Sequence, residues 1–366
     1  MSEPASIKAS FARSISPALA VLSLITAACL IGPWLSPHGH DEVHRDYLLI
    51  PPSLAAHPTK AETEAALASI GQALHLKIAG FEITHSATAS PTLRATFSAD
   101  APIDSRILRG FTGSDIFGEP HIIGQNEDGR RVSVRAPLRS MHFLFGTDAN
   151  GRDLLTRVLV AGRISLAVGL LASLVALVFG VTYGALAGYL GGLTGALMMR
   201  FVEIVYALPF IFLVIVLTMV LGRGLALILI AIASVEWLDM ARIVRAQTLS
   251  LKHRDFVTAS EALGAATPAI LWRHILPNAF GPIAAYLTIL VPRVILLESF
   301  VSFLGLGVQE PLTSWGVLIA DGARTIQSAV HLLVFPSLFL AATLAALNAL
   351  SQDLRAFAGR GPGDAQ

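Results

Sequence analysis

Three histidines stand close together near the start of the chain: His38, His40 and His44, interleaved with Asp41 and Glu42. Imidazole and carboxylate donors suit nickel or zinc. Their spacing is loose, so a solvated linker is the competing reading. A second set of charged residues lies inside apolar stretches. Glu203 follows Arg200, Glu236 precedes Asp239, and Arg293 precedes Glu298. Intramembrane charge is costly, so such groups are expected to face a bundle interior or each other. Arg200 and Glu203 are expected to pair locally, and Glu236 and Asp239 to serve at a helix end. Arg293 and Glu298 share a helix face only loosely. With Glu203 they are the candidates for an interior or pathway role. Other chemistry is missing. The only lysines are Lys8, Lys60, Lys77 and Lys252, and none follows a glycine, so no GxxxxGK[ST] phosphate cradle exists. HExxH, GxSxG and CxxC are also absent, and Cys29 is the single cysteine, which excludes an intrachain disulfide. No catalytic residue and no cofactor of its own is expected. Uphill transport by this chain would need an energy-supplying partner or an ion gradient.

The elements that must hold these residues are apolar. Of 366 residues, 54% are hydrophobic and 14% charged, and mean hydropathy is +0.66. Soluble domains carry about 25% charge, so the bilayer is the expected solvent. A net charge of +1 gives no reason to expect a nucleic-acid partner.

A bilayer core takes about 20 apolar residues per helix. The candidate stretches are Pro17–Trp34, Ile164–Leu190, Val202–Leu221 with Pro209 inside it, the short Leu225–Met240, Phe280–Leu304 and Ala329–Leu350. About six spans are therefore predicted. The first is expected to be a retained helix, although Ala27-Ala28-Cys29 hints at a lipoprotein cleavage site. Along the Ile164 span, Gly180, Gly184, Gly188, Gly191 and Gly192 give small-xxx-small spacing, which favours close helix packing or a subunit contact.

Basic residues in short loops set the orientation. Lys8 and Arg13, the cluster Arg242, Arg245, Lys252, Arg254 and Arg273, and then Arg355 and Arg360 fall on one side if both termini are cytoplasmic. The long polar segment 36–145 then lies outside. Thr59–Ile78 has helical spacing. Leu93, Ala95 and Phe97 alternate, as do Val132 and Val134, and Asn126–Gly129 is a hairpin-type turn. A small α+β extracytoplasmic insert is expected. The organisation is thus 1–35 tail and first helix, 36–145 insert, 146–356 membrane core and 357–366 cytoplasmic tail. Within the core, Gly146–Asp153 reads as a capping turn. There Asp148 and Asn150 bond backbone and Arg152 pairs with Asp148 or Asp153.

Between two apolar runs lies Phe256–Asn278. Val257, Ala259, Ala262 and Leu263 form a short amphipathic piece that runs into Gly264. Ile270, Leu271, Ile275 and Leu276 form a second, which runs into Pro277. The pattern reads helix, glycine break, helix, proline stop.

Four segments together carry a resemblance. They are Gly146-Thr147-Asp148-Ala149-Asn150-Gly151-Arg152-Asp153 with Arg157 and Gly162–Leu166; Met199-Arg200 with Glu203 and Pro209; Ala241-Arg242 through Arg245, Gln247 and Gly264 to His274–Asn278; and Glu298–Gly307. From Phe145 onward the chain resembles the permease subunits of oligopeptide, dipeptide and nickel ABC importers. The resemblance implies an all-α polytopic membrane protein of the bacterial inner membrane. It implies a second homologous permease, two cytoplasmic ATPase subunits that hold ATP and magnesium, and an extracytoplasmic solute-binding protein. Peptides are the implied solute, with nickel or another small solute as an alternative. Outside the family, a secondary transporter or channel remains the alternative. Residues 255–278 would be the loop gripped by the ATPase, through Thr258, Ala259, Ser260, Gly264, His274, Leu276 and Pro277. Thr258 stands where the family carries glutamate, so no ion pair is expected there. The insert matches nothing shared by that family.

Overall fold

The computed structural model describes residues 4–84 and 91–359, with side chains described from Pro17 to Arg355 apart from Arg106. Residues 1–3 and the expected basic residue Arg360 lie outside the described part. The chain divides into two compact units. One gathers the chain up to Leu35, Val158–Ile326 and the chain from Leu333; the other is Ser36–Arg157 with Gln327–Leu332.

Helix α1 covers Pro4–Leu35. The second unit then opens with α2, Lys60–Ala73. Thr59 caps it reciprocally: its hydroxyl accepts from Glu62 N–H, and Glu62 Oε2 accepts from Thr59 N–H at 2.7 Å. The expected helix to Ile78 stops earlier. His75 turns left-handed at φ 55°, and the amides of His75 and Leu76 close on the carbonyls of Gln72 and Gly71. That arrangement ends a helix and satisfies its last carbonyls. The chain continues as β1 (Lys77–Thr84) and β2 (Thr92–Ser98), α3 (Arg106–Thr112), β3 (His121–Gln125) and β4 (Arg131–Pro137). The sheet order is β1-β2-β4-β3, all antiparallel. Alternation places Leu93, Ala95 and Phe97 of β2 and Val132, Val134 and Ala136 of β4 on the buried face. Leu67 and Ile70 of α2, with Phe111 and Phe117, complete this core. Each fully buried side chain of this size is worth about 1.5–3 kcal/mol. The turn at Asn126–Gly129 is present, with Gly129 at φ 66° and Asn126 Oδ1 accepting from Arg131 N–H.

The remaining helices are α4 (Leu154–Leu190), α5 (Gly192–Tyr206), α6 (Phe210–Leu221), α7 (Leu225–Lys252), α8 (Asp255–Ala262), α9 (Thr267–Ile270), a π turn (Leu271–Ile275), α10 (Leu276–Phe303), α11 (Trp315–Arg324) and α12 (His331–Gly359). Among the described residues four helices are long and apolar enough to cross a membrane: Pro17–Leu35, Leu154–Leu190, Thr267–Phe303 and His331–Arg355. The expected Val202–Leu221 span is a broken pair. Proline 209 has no N–H to continue the ladder, and α5 and α6 meet at 83°. Counting that pair gives up to five. The expected Leu225–Met240 span lies in α7, whose Glu236, Asp239 and Arg242 interrupt its apolar run.

The glycines of α4 explain its packing. A Cβ at Gly180 would stand 2.5 Å from Met240 Cβ, and one at Gly188 2.6 Å from Thr248 Cβ. One at Gly184 would meet the backbone of Ala241. The stripe therefore seats α7 against α4 within the chain, backbone close to backbone.

Candidate coupling loop and buried charges

The loop between α7 and α10 is built on one turn. Leu263 caps α8, and Gly264 follows at φ 78°. The Gly264 amide donates to Glu261 O at 2.9 Å and the Ala265 amide to Ser260 O at 3.1 Å. This is a Schellman closure, and glycine suits it because the left-handed conformation penalises a Cβ. No atom lies within 4 Å of where that Cβ would be, so conformation alone selects glycine here.

Past Gly264 the expected proline stop is absent. From Thr267 the helix runs without interruption to Phe303, and Pro277 lies in its path. The π turn just before it accommodates the ring: the Leu276 amide reaches back five residues to Leu271 O. Widening the turn relieves the clash that proline makes with the preceding turn. Asn278 Nδ2 also donates to His274 O at 2.6 Å. The second short piece is thus the foot of the long helix.

Of the apolar residues in the two short pieces, Val257 is buried with Ile270, Leu271 and Ile275. Ala259 and Ala262 face out, and Leu276 is half-buried. Leu263 is 88% exposed and Trp272 65% exposed. Thr258 spends its hydroxyl on Asp255 O, at 3.0 Å. Ser260 is half-buried, and the His274 ring is tilted 43° against Phe256 with ring centroids 6.4 Å apart. Two contacts fix the loop to the end of α4. Tyr189 donates to Glu261 at 2.8 Å, and Lys252 donates to Tyr189 O at 2.6 Å.

The charges expected inside apolar stretches sort into three places. Glu203 pairs with Arg200 at 2.8 Å, and both are exposed. Arg293 does not meet Glu298. It turns to α7, 3.0 Å from Asp239 and 3.5 Å from Glu236, because five residues along a helix point the two side chains apart. Arg293 and Glu236 line a cavity of about 440 Å³ with Phe210, Val235, Leu296 and Phe300. Glu298 is fully buried and caged by hydroxyls. Ser302 donates to Oε1 at 2.7 Å and Ser165 to Oε2 at 3.0 Å; Ser299 and Ser314 bond the same carboxyl. Ser165 in turn accepts from the Trp315 amide at 3.2 Å, and the indole donates to Val158 O at 3.0 Å. The cage therefore pins α4, α10 and α11 together.

Residues 180–357 match the model of the binding-protein-dependent transport system inner membrane component family. The oligopeptide transport system permease protein OppC of Salmonella typhimurium is 53% identical over 228 residues, covering 62% of this chain and 75% of that protein. The chain belongs to this permease family. The dipeptide transport system permease protein DppC of Bacillus subtilis is 45% identical over 212 residues, covering 58% of this permease and 66% of that one. The glutathione transport system permease protein GsiD of Shigella flexneri is 41% identical over 216 residues, covering 59% and 71%.

Other expected residues of the permease fall as follows. In Gly146–Asp153, Asp148 Oδ1 accepts from the amides of Asn150 and Arg152, and Oδ2 meets both Arg152, at 2.8 Å, and Arg157, at 3.1 Å. Asp153 caps α4, accepting from Thr156 N–H at 2.8 Å. The histidine-rich stretch is not simply a solvated linker. His44 is 2% exposed and His38 9%, both against Phe143. His40 stays outside, 3.8 Å from Asp41. Of the serines around Glu298, Ser165, Ser299 and Ser302 were legible only as members of the Gly162–Leu166 and Glu298–Gly307 runs, and Ser314 lies in neither. Nothing in their local spacing tells that Ser165, more than 100 residues away, shares a carboxylate with Ser302.

Proposed function

We propose that this permease forms half of a translocation pathway in an ATP-driven importer of oligopeptides or dipeptides. The Gly264 turn carries the reading: it presents Leu263 and Trp272 outward at the foot of the long helix, where a soluble ATPase could seat them. The peptide assignment draws on the three relatives, which are named for oligopeptide, dipeptide and glutathione transport. The complete assembly would hold a second homologous permease, two ATPase subunits that bind ATP and magnesium, and an extracytoplasmic binding protein. Both termini and the 255–278 loop would face the cytoplasm, and the insert the outside. Helix α7 would be a further span, giving six. Arg293 supports this by neutralising Glu236 and Asp239 within the bundle, which lowers the cost of their burial. Membership of a binding-protein-dependent family favours this reading over a secondary transporter or channel.

ATP-driven closure of the ATPase pair would pull the loop and rotate the attached helices, turning the cavity between permeases inward. The test is uptake of a labelled tripeptide, with labelled nickel in parallel, in cells with and without this chain. Loss of peptide uptake is expected. Loss of nickel uptake alone would replace the solute, and retention of both would overturn the peptide reading.

A further inference from the structure

We propose that His38, Glu42 and His44 form a binding site for a divalent transition-metal ion of the zinc type in the Ser36–Arg157 unit. One nitrogen or oxygen from each residue lies within 4.8 Å of the others. Two imidazoles and one carboxylate are the donor set that zinc takes where three protein ligands leave a fourth position to water. Calcium and magnesium prefer all-oxygen sites, which this is not.

The surroundings are those of a built site. His38 stacks on Phe143 with ring centroids 5.0 Å apart, and His44 meets the edge of His38 at 5.3 Å. The His44 backbone is held from both sides: its amide donates to Gly151 O, and its carbonyl accepts from the Tyr47 amide, each at 3.1 Å. Glycine is required at 151, since it stands at φ 77° and any Cβ would enter the His44 carbonyl. His44 Nε2 is buried with no hydrogen-bond partner. A buried polar nitrogen left so carries an unmet desolvation cost, which an external electrophile would relieve. This orphaned atom is independent of the cluster's spacing.

Supporting bonds from outside the cluster are also in place. His38 Nε2 lies 3.3 Å from His142 O; a proton held there fixes the tautomer that offers Nδ1 as a lone-pair donor. Gly39 N–H donates to Glu42 Oε2 at 3.0 Å, which orients the carboxylate and leaves Oε1 available. Zinc bonds of about 2.0–2.1 Å in a tetrahedron put donor atoms about 3.4 Å apart. Closure from the present spacing therefore falls to Glu42, whose side chain is exposed while both imidazoles are packed. His40 is excluded because its ring lies outside this cluster, 3.8 Å from Asp41.

The test uses the full chain in lipid nanodiscs, stripped with chelator and titrated with zinc by calorimetry, with cobalt absorption as a second readout. Wild type is expected to bind one equivalent and to give the intense visible bands of low-coordinate cobalt. Glu42→Gln alters a surface side chain, so a loss there does not arise from misfolding; it and His44→Ala are each expected to weaken binding at least tenfold. His40→Ala is expected to change nothing. The proposal is overturned if wild type shows no saturable binding, or if Glu42→Gln and His44→Ala both bind as wild type does. Uptake is not the readout, so the result stands apart from the transport assignment.

Discussion

Replacing Gly264 tests the coupling reading through a single torsion angle. The residue sits at φ 78°, and nothing lies within 4 Å of the missing Cβ. A side chain there meets no neighbour, and the whole penalty is the left-handed conformation, about 1–2 kcal/mol for an ordinary residue. If the ATPase grips only the turned form, that penalty lowers its apparent affinity by about 5–30-fold in Gly264→Ala. Asparagine tolerates this region better, so Gly264→Asn should lose less. Proline fixes φ near −65° and removes the amide that bonds Glu261 O at 2.9 Å. Gly264→Pro should stay in the membrane yet fail to hold the ATPase. The assay is a binding titration of the ATPase subunits against each permease in nanodiscs, at matched membrane abundance, followed by uptake. The expected rank is Gly, Asn, Ala, Pro. Equal affinity across the four proteins would refute the reasoning, since it would show that the turn is not what the partner reads.

Three further outcomes follow from the packing. Gly184→Val overpacks the seam between α4 and α7 and should lower stability by about 1–3 kcal/mol, whereas Gly281→Ala, with no atom within 4 Å and no positive φ, should be neutral or slightly stabilising; paired thermal melts in detergent compare the signs. Glu298→Leu removes the acceptor shared by Ser165 and Ser302 and should cost about 1–3 kcal/mol for each hydroxyl left unpaired. Glu298→Gln keeps a polar acceptor and should melt between the two; a Leu variant that melts with wild type would dismiss the cage. In the insert, Glu62 is raised by burial but lowered further by the Thr59 amide and by His57, so its net value lies below the usual carboxylate range. Its contribution is therefore complete above about pH 4.5 and fades as pH falls through the depressed value; amide exchange of α2 should accelerate on acidification, and Glu62→Gln should flatten that response.

What the chain revealed in advance divides by the range of the interaction. The Asn126–Gly129 turn, the alternation of Leu93, Ala95 and Phe97, and the Gly264 break rest on residues a few positions apart, where spacing is informative. The end of α2 depended on His75 adopting a left-handed turn that histidine adopts only when its neighbours secure it. The passage through Pro277 depended on a widened turn upstream, which leaves no mark in composition. Arg293 is expected to face a bundle interior or Glu298; it is half-exposed beside Asp239 and Glu236, which belong to a different helix. Within the loop, Gly264 could be assigned to the turn, but spacing did not separate buried Val257 from exposed Ala259, Ala262 and Leu263. The hydroxyls around Glu298 and the orphaned nitrogen of His44 are products of tertiary contact and could not be read from spacing.

The unbroken run from Thr267 to Phe303 has a mechanical meaning. At 37 residues it measures about 55 Å, so a tilt of about 5° moves its far end by about 5 Å. The surface offered at its foot and the segment bearing Glu298 are then two points on one shaft. Torque applied at one reaches the other without crossing a joint. The two prolines inside α10, Pro282 and Pro292, each delete a rung and give the shaft compliance. In the importer proposed above, force arriving at the foot would be delivered as leverage, and the cage of serines would be where that lever bears on its neighbours.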